Sequence, residues 1–196
     1  MTNHRHFLIH KPYGVLSQFV NNQNRRKNKQ LLSDLHEFPE GTMSVGRLDE
    51  KSEGLLLLTT NGIVSAQVRS KAVEKEYYVQ VDGVITQEAI NQIAEGIEIS
   101  INGKKYHTLP CKATLLNSPP NVFPRRKSIR NERHGPTSWI SVTINEGKYR
   151  QVRKMTAQAG FPTLRLIRVR IGHLTLGNLA PGEFKEIECP YLLSRS

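Results

Sequence analysis

Residues 43–61, MSVGRLDEKSEGLLLLTTN, predict two core strands joined by a short charged loop. The run of leucines and threonines indicates a fully buried strand over residues 55–60, closed by an Asn-Gly pair. Asp49 lies in the loop before this strand, two residues after Arg47. A loop aspartate usually accepts hydrogen bonds from the amides of its own turn, and a carboxylate on a rigid scaffold is also suited to catalysis. The pattern alone leaves both roles open.

The rest of the chain alternates strand and helix patterns without an internal repeat. Strands are predicted over residues 7–9, 77–81, 97–101, 111–116, 139–144 and 164–171. Helices are predicted over residues 31–38, 63–68 and 148–159, and between the N-cap Thr86 and Gly96. In the 148–159 helix we expect Arg150, Arg153 and Lys154 on one face, opposite an apolar face. The alternation predicts an α+β fold with a largely antiparallel sheet and flanking helices.

The formal charge of +11 over 196 residues is concentrated in four segments. These segments hold 16 of the 28 cations and a single acid, and they cover residues 21–30, 125–133, 148–154 and 165–170. The remaining residues carry 12 cations and 16 acids, so the excess is local. Arginine is the commoner cation in these segments, and its guanidinium can bind phosphate bidentately. This favours a nucleic-acid-binding surface over four segments that are charged only because they are exposed to solvent. A membrane surface is disfavoured because no segment combines a basic face with an aromatic, strongly amphipathic one.

Two of the basic segments lie in stretches with little apolar content. Residues 21–30 contain no apolar side chain, and residues 117–137 contain four prolines and five cations. We expect the first to be a mobile polar loop, and the second to be a basic mobile insertion that becomes ordered only against a partner.

Composition excludes several classes of protein. The longest aliphatic run, residues 55–58, is far shorter than a bilayer span, and no signal-peptide core follows the N-terminus. Cys111 and Cys189 are too few for a disulfide scaffold, and neither they nor the histidines show metal-ligand spacing. Glycine motifs of nucleotide sites are also absent from the sequence. We therefore expect a cytoplasmic protein, monomeric when free, without a metal ion or membrane anchor.

Five segments carry a family resemblance. Residues 46–59, GRLDEKSEGLLLLT, closely resemble the signature loop of pseudouridine synthases, in the branch related to the ribosomal small-subunit uridine modifier A. Four further segments resemble motifs of that branch, in the same order: residues 11–17 (KPYGVLS), 75–79 (KEYYV), 146–155 (EGKYRQVRKM) and 166–172 (LIRVRIG). The resemblance therefore extends over nearly the whole chain.

This resemblance implies a fold and an RNA substrate. It implies the pseudouridine synthase catalytic fold, a mixed, largely antiparallel sheet with flanking helices and a central cleft. We expect a single catalytic domain over residues 1–190, made of two joined halves. Because the KPYG motif starts at Lys11, we expect no N-terminal S4-type RNA-binding domain. That short arrangement, with the insertion at 117–137, is most similar to members that act on 23S rRNA, and 16S rRNA and tRNA are the alternatives.

The resemblance also assigns catalytic roles. It implies that Asp49 is the nucleophile, by addition to uracil C6, by attack on ribose C1′, or by removal of the 2′ proton on the way to a glycal. Arg153 would keep that carboxylate ionised and directed, although it could instead be a phosphate contact. Tyr77 would stack on a uridine swung out of the RNA, although a strand tyrosine can simply pack. Lys11 and Tyr13 would shape the floor of the pocket. The isomerisation requires no cofactor.

Further residues are implied as substrate contacts. Ile167 would form the other wall of the pocket, and Arg47, Lys148, Arg150 and Arg168 would contact phosphates or an oxyanion. Two other functions are consistent with the same residue types: a non-catalytic RNA-binding or ribosome-assembly protein, and a nucleic-acid glycosidase that uses a carboxylate. The glycosidase would release free uracil, whereas the isomerase keeps the base attached.

Overall fold

The computed structural model describes residues 4–20, 29–69, 73–125, 127–129 and 132–188. The chain forms two compact units. The first comprises Met1–Val73 and Arg168–Ser196, and the second comprises Glu74–Ile167. Most of the predicted polar loop 21–30 lies outside the described residues.

Strands and helices alternate along the described residues. The strands are β1 His6–Lys11, β2 Met43–Val45, β3 Glu53–Thr59, β4 Lys75–Asp82, β5 Glu98–Ile101, β6 Lys104–His107, β7 Lys112–Leu116, β8 Thr137–Ile144, β9 Thr163–Ile171, β10 Leu174–Thr175 and β11 Phe184–Ile187. The α-helices are α1 Gly62–Arg69, α2 Gln87–Glu95 and α3 Gln151–Gln158, and short 3₁₀ helices cover Leu32–Asp34 and Glu132–His134. Every strand predicted from the sequence is confirmed, as are the helices at α1 and α2. The α+β class is therefore also confirmed.

In the first unit, β1 lies between β3 and β11 and pairs antiparallel with both. β2 also pairs with β3, and β10 pairs with the end of β9. All of β3 is buried, which confirms the buried strand predicted over residues 55–60, except that the strand ends at Thr59 and Thr60 is half-buried. Phe7 faces Leu58 and Ile9 faces Leu56 across the β1–β3 ladder, so alternate side chains of both strands meet in one apolar cluster. This rigid pair of strands carries the loop of Asp49 at one end.

In the second unit, β8 lies between β4 and β7 and pairs antiparallel with both. Helix α2 packs against β7 and helix α3 against β5. Thr86 caps α2 as predicted, because its hydroxyl accepts a hydrogen bond from the Ala89 amide at 3.2 Å. Val79, Ile90, Val142 and other buried residues of these elements form the core.

The helix predicted over residues 31–38 is wrong. Only Leu32–Asp34 form a 3₁₀ turn, in which the Asp34 carboxylate accepts a hydrogen bond from the Leu31 amide at 2.7 Å. Leu32 is buried in the first unit's core nonetheless, and the partly buried Leu35 and Phe38 pack against it. Pro39 disfavours helical geometry at the residue before it, so the chain leaves the turn extended. Burial here follows tertiary packing rather than helix periodicity.

The start of the third predicted helix is also wrong. Helix α3 begins at Gln151 rather than Lys148, because Arg150 takes a left-handed conformation with φ 54° and ψ 34°. Lys148 and Arg150 therefore precede the helix, and only Arg153 and Lys154 of the predicted basic face lie on it. Strand β6 was not predicted, although the Asn-Gly turn that joins it to β5 is a strong hairpin signal.

The predicted insertion 117–137 makes contacts within its own unit. The Phe123 carbonyl accepts a hydrogen bond from Arg165 Nη2 at 2.7 Å. The Arg125 guanidinium donates to the carbonyls of Lys127 and Ser128. Arg126 and residues 130–131 lie outside the described residues. The mobility of this segment, and the single domain over residues 1–190, stay predictions.

The described helices are short. Within the described ranges, none is long and apolar enough to cross a membrane.

Candidate active site

The loop of residues 46–52 connects β2 to β3 and contains Asp49. Its end is a turn in which the Ser52 amide donates to the Asp49 carbonyl at 2.9 Å. Asp49 is half-buried, between a buried Leu48 and a buried Ser52, while Arg47 is exposed. The loop thus presents Asp49 from a position whose backbone is fixed on both sides.

The KPYG segment fixes this loop from outside. The Gly14 amide donates to the Glu50 carbonyl at 2.8 Å. The Ser17 hydroxyl donates to the Leu48 carbonyl at 2.8 Å and accepts from the Leu48 amide at 3.1 Å. Both residues that flank Asp49 are therefore tied to residues 14–17, which explains why two motifs distant in sequence belong to one site.

Lys11 is buried beneath this loop. Its side chain is inaccessible to solvent, and its Nζ donates to the Pro12 carbonyl at 2.9 Å and the Val15 carbonyl at 2.8 Å. Burial disfavours the ammonium and lowers the pKa of Lys11 to about 7. The side chain therefore holds the KPYG turn from inside, and its charge can change near neutral pH. Its predicted place at the floor of the pocket stays a prediction.

Charged groups of the first unit surround that amine. The carboxylates of Glu53, Asp49 and Glu50 raise the pKa of Lys11 against the larger effect of burial, and Arg168 lowers it further. Asp49 therefore shares its surroundings with a buried cation that belongs to the same unit.

Arg168 is buried rather than on the surface. Its Nε donates to the Leu55 carbonyl at 2.8 Å, and its Nη2 has no hydrogen-bond partner among the described residues. A buried guanidinium with an unused donor costs free energy unless another group accepts from it. Its predicted role as an oxyanion contact stays a prediction.

Tyr77 and Arg153 belong to the second unit. Tyr77 lies on β4 opposite Val142, and its half-buried ring packs against the core of that unit. Arg153 lies on α3, half-buried, and its Nη1 donates to the Thr163 carbonyl at 3.4 Å. These contacts agree with structural roles for both side chains, and their catalytic roles stay predictions.

The remaining predicted contacts differ in exposure. Lys148 is exposed, Arg150 is half-buried, and Ile167 is almost fully buried at the end of the second unit's chain. Of the predicted site residues, the first unit holds Arg47, Asp49 and Arg168, and the second holds Tyr77, Lys148, Arg150, Arg153 and Ile167.

Glu146, a buried carboxylate that was not predicted from the sequence, binds the first residue of α3. Glu146 accepts hydrogen bonds from the Tyr106 hydroxyl at 2.5 Å, from the Leu109 amide at 2.9 Å and from the Gln151 amide group at 2.6 Å. The bond to Glu146 raises the pKa of Tyr106. The only signal in the sequence was the place of Glu146 at the head of the 146–155 motif.

The described residues also bear on two other kinds of site, a metal site and a reactive thiol. No three His, Cys, Asp or Glu side chains of the described ranges form a group that could hold a metal ion. Burial raises the pKa of Cys111 to about 11, which keeps it a thiol at neutral pH. Cys189 lies outside the described residues.

Comparison with known proteins now gives the family. The family model described as RNA pseudouridylate synthase matches residues 5–158. A ribosomal large subunit pseudouridine synthase E of Vibrio parahaemolyticus is 40% identical over 191 residues, which cover 96% of this chain and 76% of the relative. Its counterpart from Xanthomonas campestris is 38% identical, with 91% and 92% covered.

A solved structure agrees with these relatives. A crystal structure of a pseudouridylate synthase superimposes with a TM-score of 0.75 at 26% identity, and the match covers 96% of this chain and 72% of that one. The resemblance inferred from the five motifs is therefore confirmed, and with it the expected class of enzyme. The chain belongs to the RNA pseudouridylate synthase family.

Proposed function

We propose that the chain converts a uridine of 23S rRNA to pseudouridine, with Asp49 as the nucleophile. The observation that carries the proposal is the loop of Asp49, whose backbone is tied on both sides to residues 14–17 above the buried Lys11. A carboxylate that must add to a substrate and later leave benefits from such a fixed position.

The reaction rearranges one nucleotide without any other reactant. The bond between uracil N1 and ribose C1′ breaks, and a bond between C5 and C1′ forms. The proton on C5 is lost to solvent and N1 gains a proton, so the atoms balance without a cofactor. Asp49 supplies the carboxylate that bonds transiently to the nucleotide, and leaves unchanged at the end.

The proposal gives the second unit the other catalytic roles. Arg153 pairs with the Asp49 carboxylate, Tyr77 stacks on the uracil after it leaves the RNA stack, and Ile167 closes the other side. Extruding a base from a folded RNA costs a few kcal/mol, and stacking on an aromatic ring recovers part of that cost. Support comes from the positions of all three residues within the motifs that identify the family.

Cations supply the contacts to the RNA. Arg47 and Lys148 are exposed and Arg150 is half-exposed, so they suit phosphate oxygens. Arg168 is buried, and its Nη2, which has no hydrogen-bond partner in the described part of the chain, suits an oxygen of the bound nucleotide rather than the RNA backbone.

The choice of 23S rRNA rests on the relatives. Relatives 38–41% identical over most of the chain are named for the large ribosomal subunit. Under this proposal the enzyme works as a monomer in the cytoplasm, where rRNA is made in bacteria. Modification of 16S rRNA or tRNA is the alternative outcome.

The proposal is tested by release of tritium from RNA labelled at uracil C5. We expect native protein to release tritium from 23S rRNA transcripts, and Asp49→Asn to lower the rate by about 10³-fold or more while RNA binding is retained. Asp34→Asn is the matched control, since Asp34 is exposed in the same unit and asparagine can still accept from the Leu31 amide.

Each other result has a defined meaning. Release by Asp49→Asn at a rate near that of Asp34→Asn would remove Asp49 from the nucleophile's role. Release of free uracil would indicate a glycosidase. RNA binding by the native protein without any tritium release would favour a non-catalytic RNA-binding protein. Release from 16S rRNA or tRNA alone would change the substrate but keep the reaction.

A further inference from the structure

Tyr149 differs from the other aromatic residues of the described chain because its side chain is more exposed to solvent. It is 66% exposed, compared with 41% for Phe123 and 37% for Phe184. The Lys154 ammonium lies 5.2 Å from the centre of its ring. A tyrosine in this state adds little to packing, and its flat apolar surface is left for another ring.

The two lysines beside Tyr149 are held in place. Lys154 Nζ donates to the Ser100 carbonyl at 2.6 Å while it lies over the Tyr149 ring. Lys148 Nζ lies 4.8 Å from the centre of the Tyr106 ring. Surface lysines normally lose side-chain entropy when they bind phosphate, and lysines that are already positioned lose less.

The Tyr106 ring is itself anchored. Its hydroxyl donates to the buried Glu146 at 2.5 Å. That carboxylate also holds Gln151, whose side chain accepts from the Lys148 amide at 3.1 Å. Lys148 is therefore positioned through both its backbone and its side chain.

The residues around Tyr149 are also distinguished by their charge and by the backbone geometry of Arg150. Residues 147–154 contain four cations and no acid. Arg150, directly after Tyr149, is one of two non-glycine residues with positive φ in the described chain, and the other lies in an Asn-Gly hairpin turn. A left-handed arginine is strained, and strain of this kind is concentrated at functional sites.

We propose that Lys148, Tyr149, Arg150 and Lys154 form an aromatic–cation surface on which an unpaired base of the substrate RNA stacks against Tyr149. The three cations bind the phosphates on either side of that base. This inference rests on the proposed function only in that the substrate is RNA. It adds a contact for a nucleotide other than the uridine that reacts, and therefore a means to select the sequence around it.

The test measures binding of a fluorescein-labelled (U)₁₂ strand and of a 23S rRNA transcript by anisotropy. Loss of one base–aromatic stack weakens binding by about 5- to 150-fold, which we expect for Tyr149→Ala. Tyr149→Phe keeps the ring and should bind within about twofold of native protein. Val84→Ala is the matched control, since Val84 is 68% exposed in the same unit and lies outside the basic segments.

Salt dependence separates stacking from charge. Tyr149→Ala should weaken binding equally at every salt concentration, because no phosphate contact is removed. Lys148→Gln should instead lower the slope of log affinity against log salt by about 0.7–1. In Tyr149→Trp, added (U)₁₂ should quench the fluorescence of the new indole.

Equal affinity of Tyr149→Ala and Val84→Ala for both RNAs would overturn the inference, as would an unquenched Trp at position 149. Tritium release by native protein distinguishes this failure from failure of the proposed function. If native protein binds through Tyr149 but converts no uridine, the surface stands and the proposed reaction fails.

Discussion

Replacing the buried Lys11 with methionine should remove a pH dependence from the stability of the protein. The pKa of Lys11 is about 7 in the folded chain, against an ordinary value of 10.5. Between these two values the unfolded chain holds a proton that the folded chain has released. Stability therefore rises with pH across this window, because the unfolded state binds more protons there.

The size of this effect follows from the shift. A change from 10.5 to about 7 corresponds to about 5 kcal/mol over the full window. Between pH 7 and pH 9 the same two values give a gain of about 2 kcal/mol. Burial is the largest cause of the lowered pKa, and the charge of Arg168 lowers it further. The carboxylates of Glu53, Asp49 and Glu50 act in the opposite direction.

Lys11→Met should lack this gain. Methionine fills a similar volume but leaves the carbonyls of Pro12 and Val15 without their donor, at a cost of about 1–3 kcal/mol each. At pH 7 that loss is partly offset, because no charge is buried. By pH 9 about 2 kcal/mol of this offset is lost, so the stability of native protein should exceed that of the variant by about 2 kcal/mol more than it does at pH 7.

The assay is urea unfolding followed by circular dichroism at pH 7, 8 and 9. Lys185→Met is the control, since Lys185 is exposed on β11 of the same unit. Other groups that titrate act equally in all three proteins, so the difference between curves isolates Lys11. A stability difference between native protein and Lys11→Met that is constant from pH 7 to pH 9 would refute the reasoning.

Three further predictions concern the second unit. Glu146→Gln should lower the unfolding free energy of this unit by about 2–4 kcal/mol, because Glu146 is buried and hydrogen-bonded. It should also lower the pKa of Tyr106, measured by absorbance titration near 295 nm; an unchanged pKa would contradict the hydrogen bond from Tyr106 to Glu146. Gly96→Ala should cost about 3 kcal/mol or more in urea unfolding, because its Cβ would collide with the Thr108 carbonyl at a φ of 103°; a loss below about 1 kcal/mol would contradict this. Thr86→Ala should cost about 1 kcal/mol through the lost helix cap, whereas Thr86→Ser should cost little.

The sequence predicted the strands well because each is marked by local periodicity. The leucine run of β3 and the alternation in β4 both contain enough information within eight residues. The helix over 31–38 failed because its apolar spacing serves burial of Leu32 and Phe38 in a nearly irregular chain. The late start of α3 depends on the backbone of Arg150, which residue type does not indicate.

Those features of the candidate site that local sequence marks could be predicted, and those that depend on tertiary contacts could not. The loop of Asp49 could be placed from its flanking strands, and the role predicted for Asp49 came from the family's motif. The burial of Lys11 could not be predicted, since lysine is ordinarily exposed. The bond from Tyr106 to Glu146 joins residues 40 positions apart, and no local pattern encodes it.

Primer extension after carbodiimide treatment tests the central claim most directly. A 23S rRNA transcript is incubated with native protein, Asp49→Asn or Asp34→Asn, and pseudouridine is read as a new stop. We expect one stop shared by native protein and Asp34→Asn and missing with Asp49→Asn. The same stop with Asp49→Asn, or no stop with native protein, would contradict that claim.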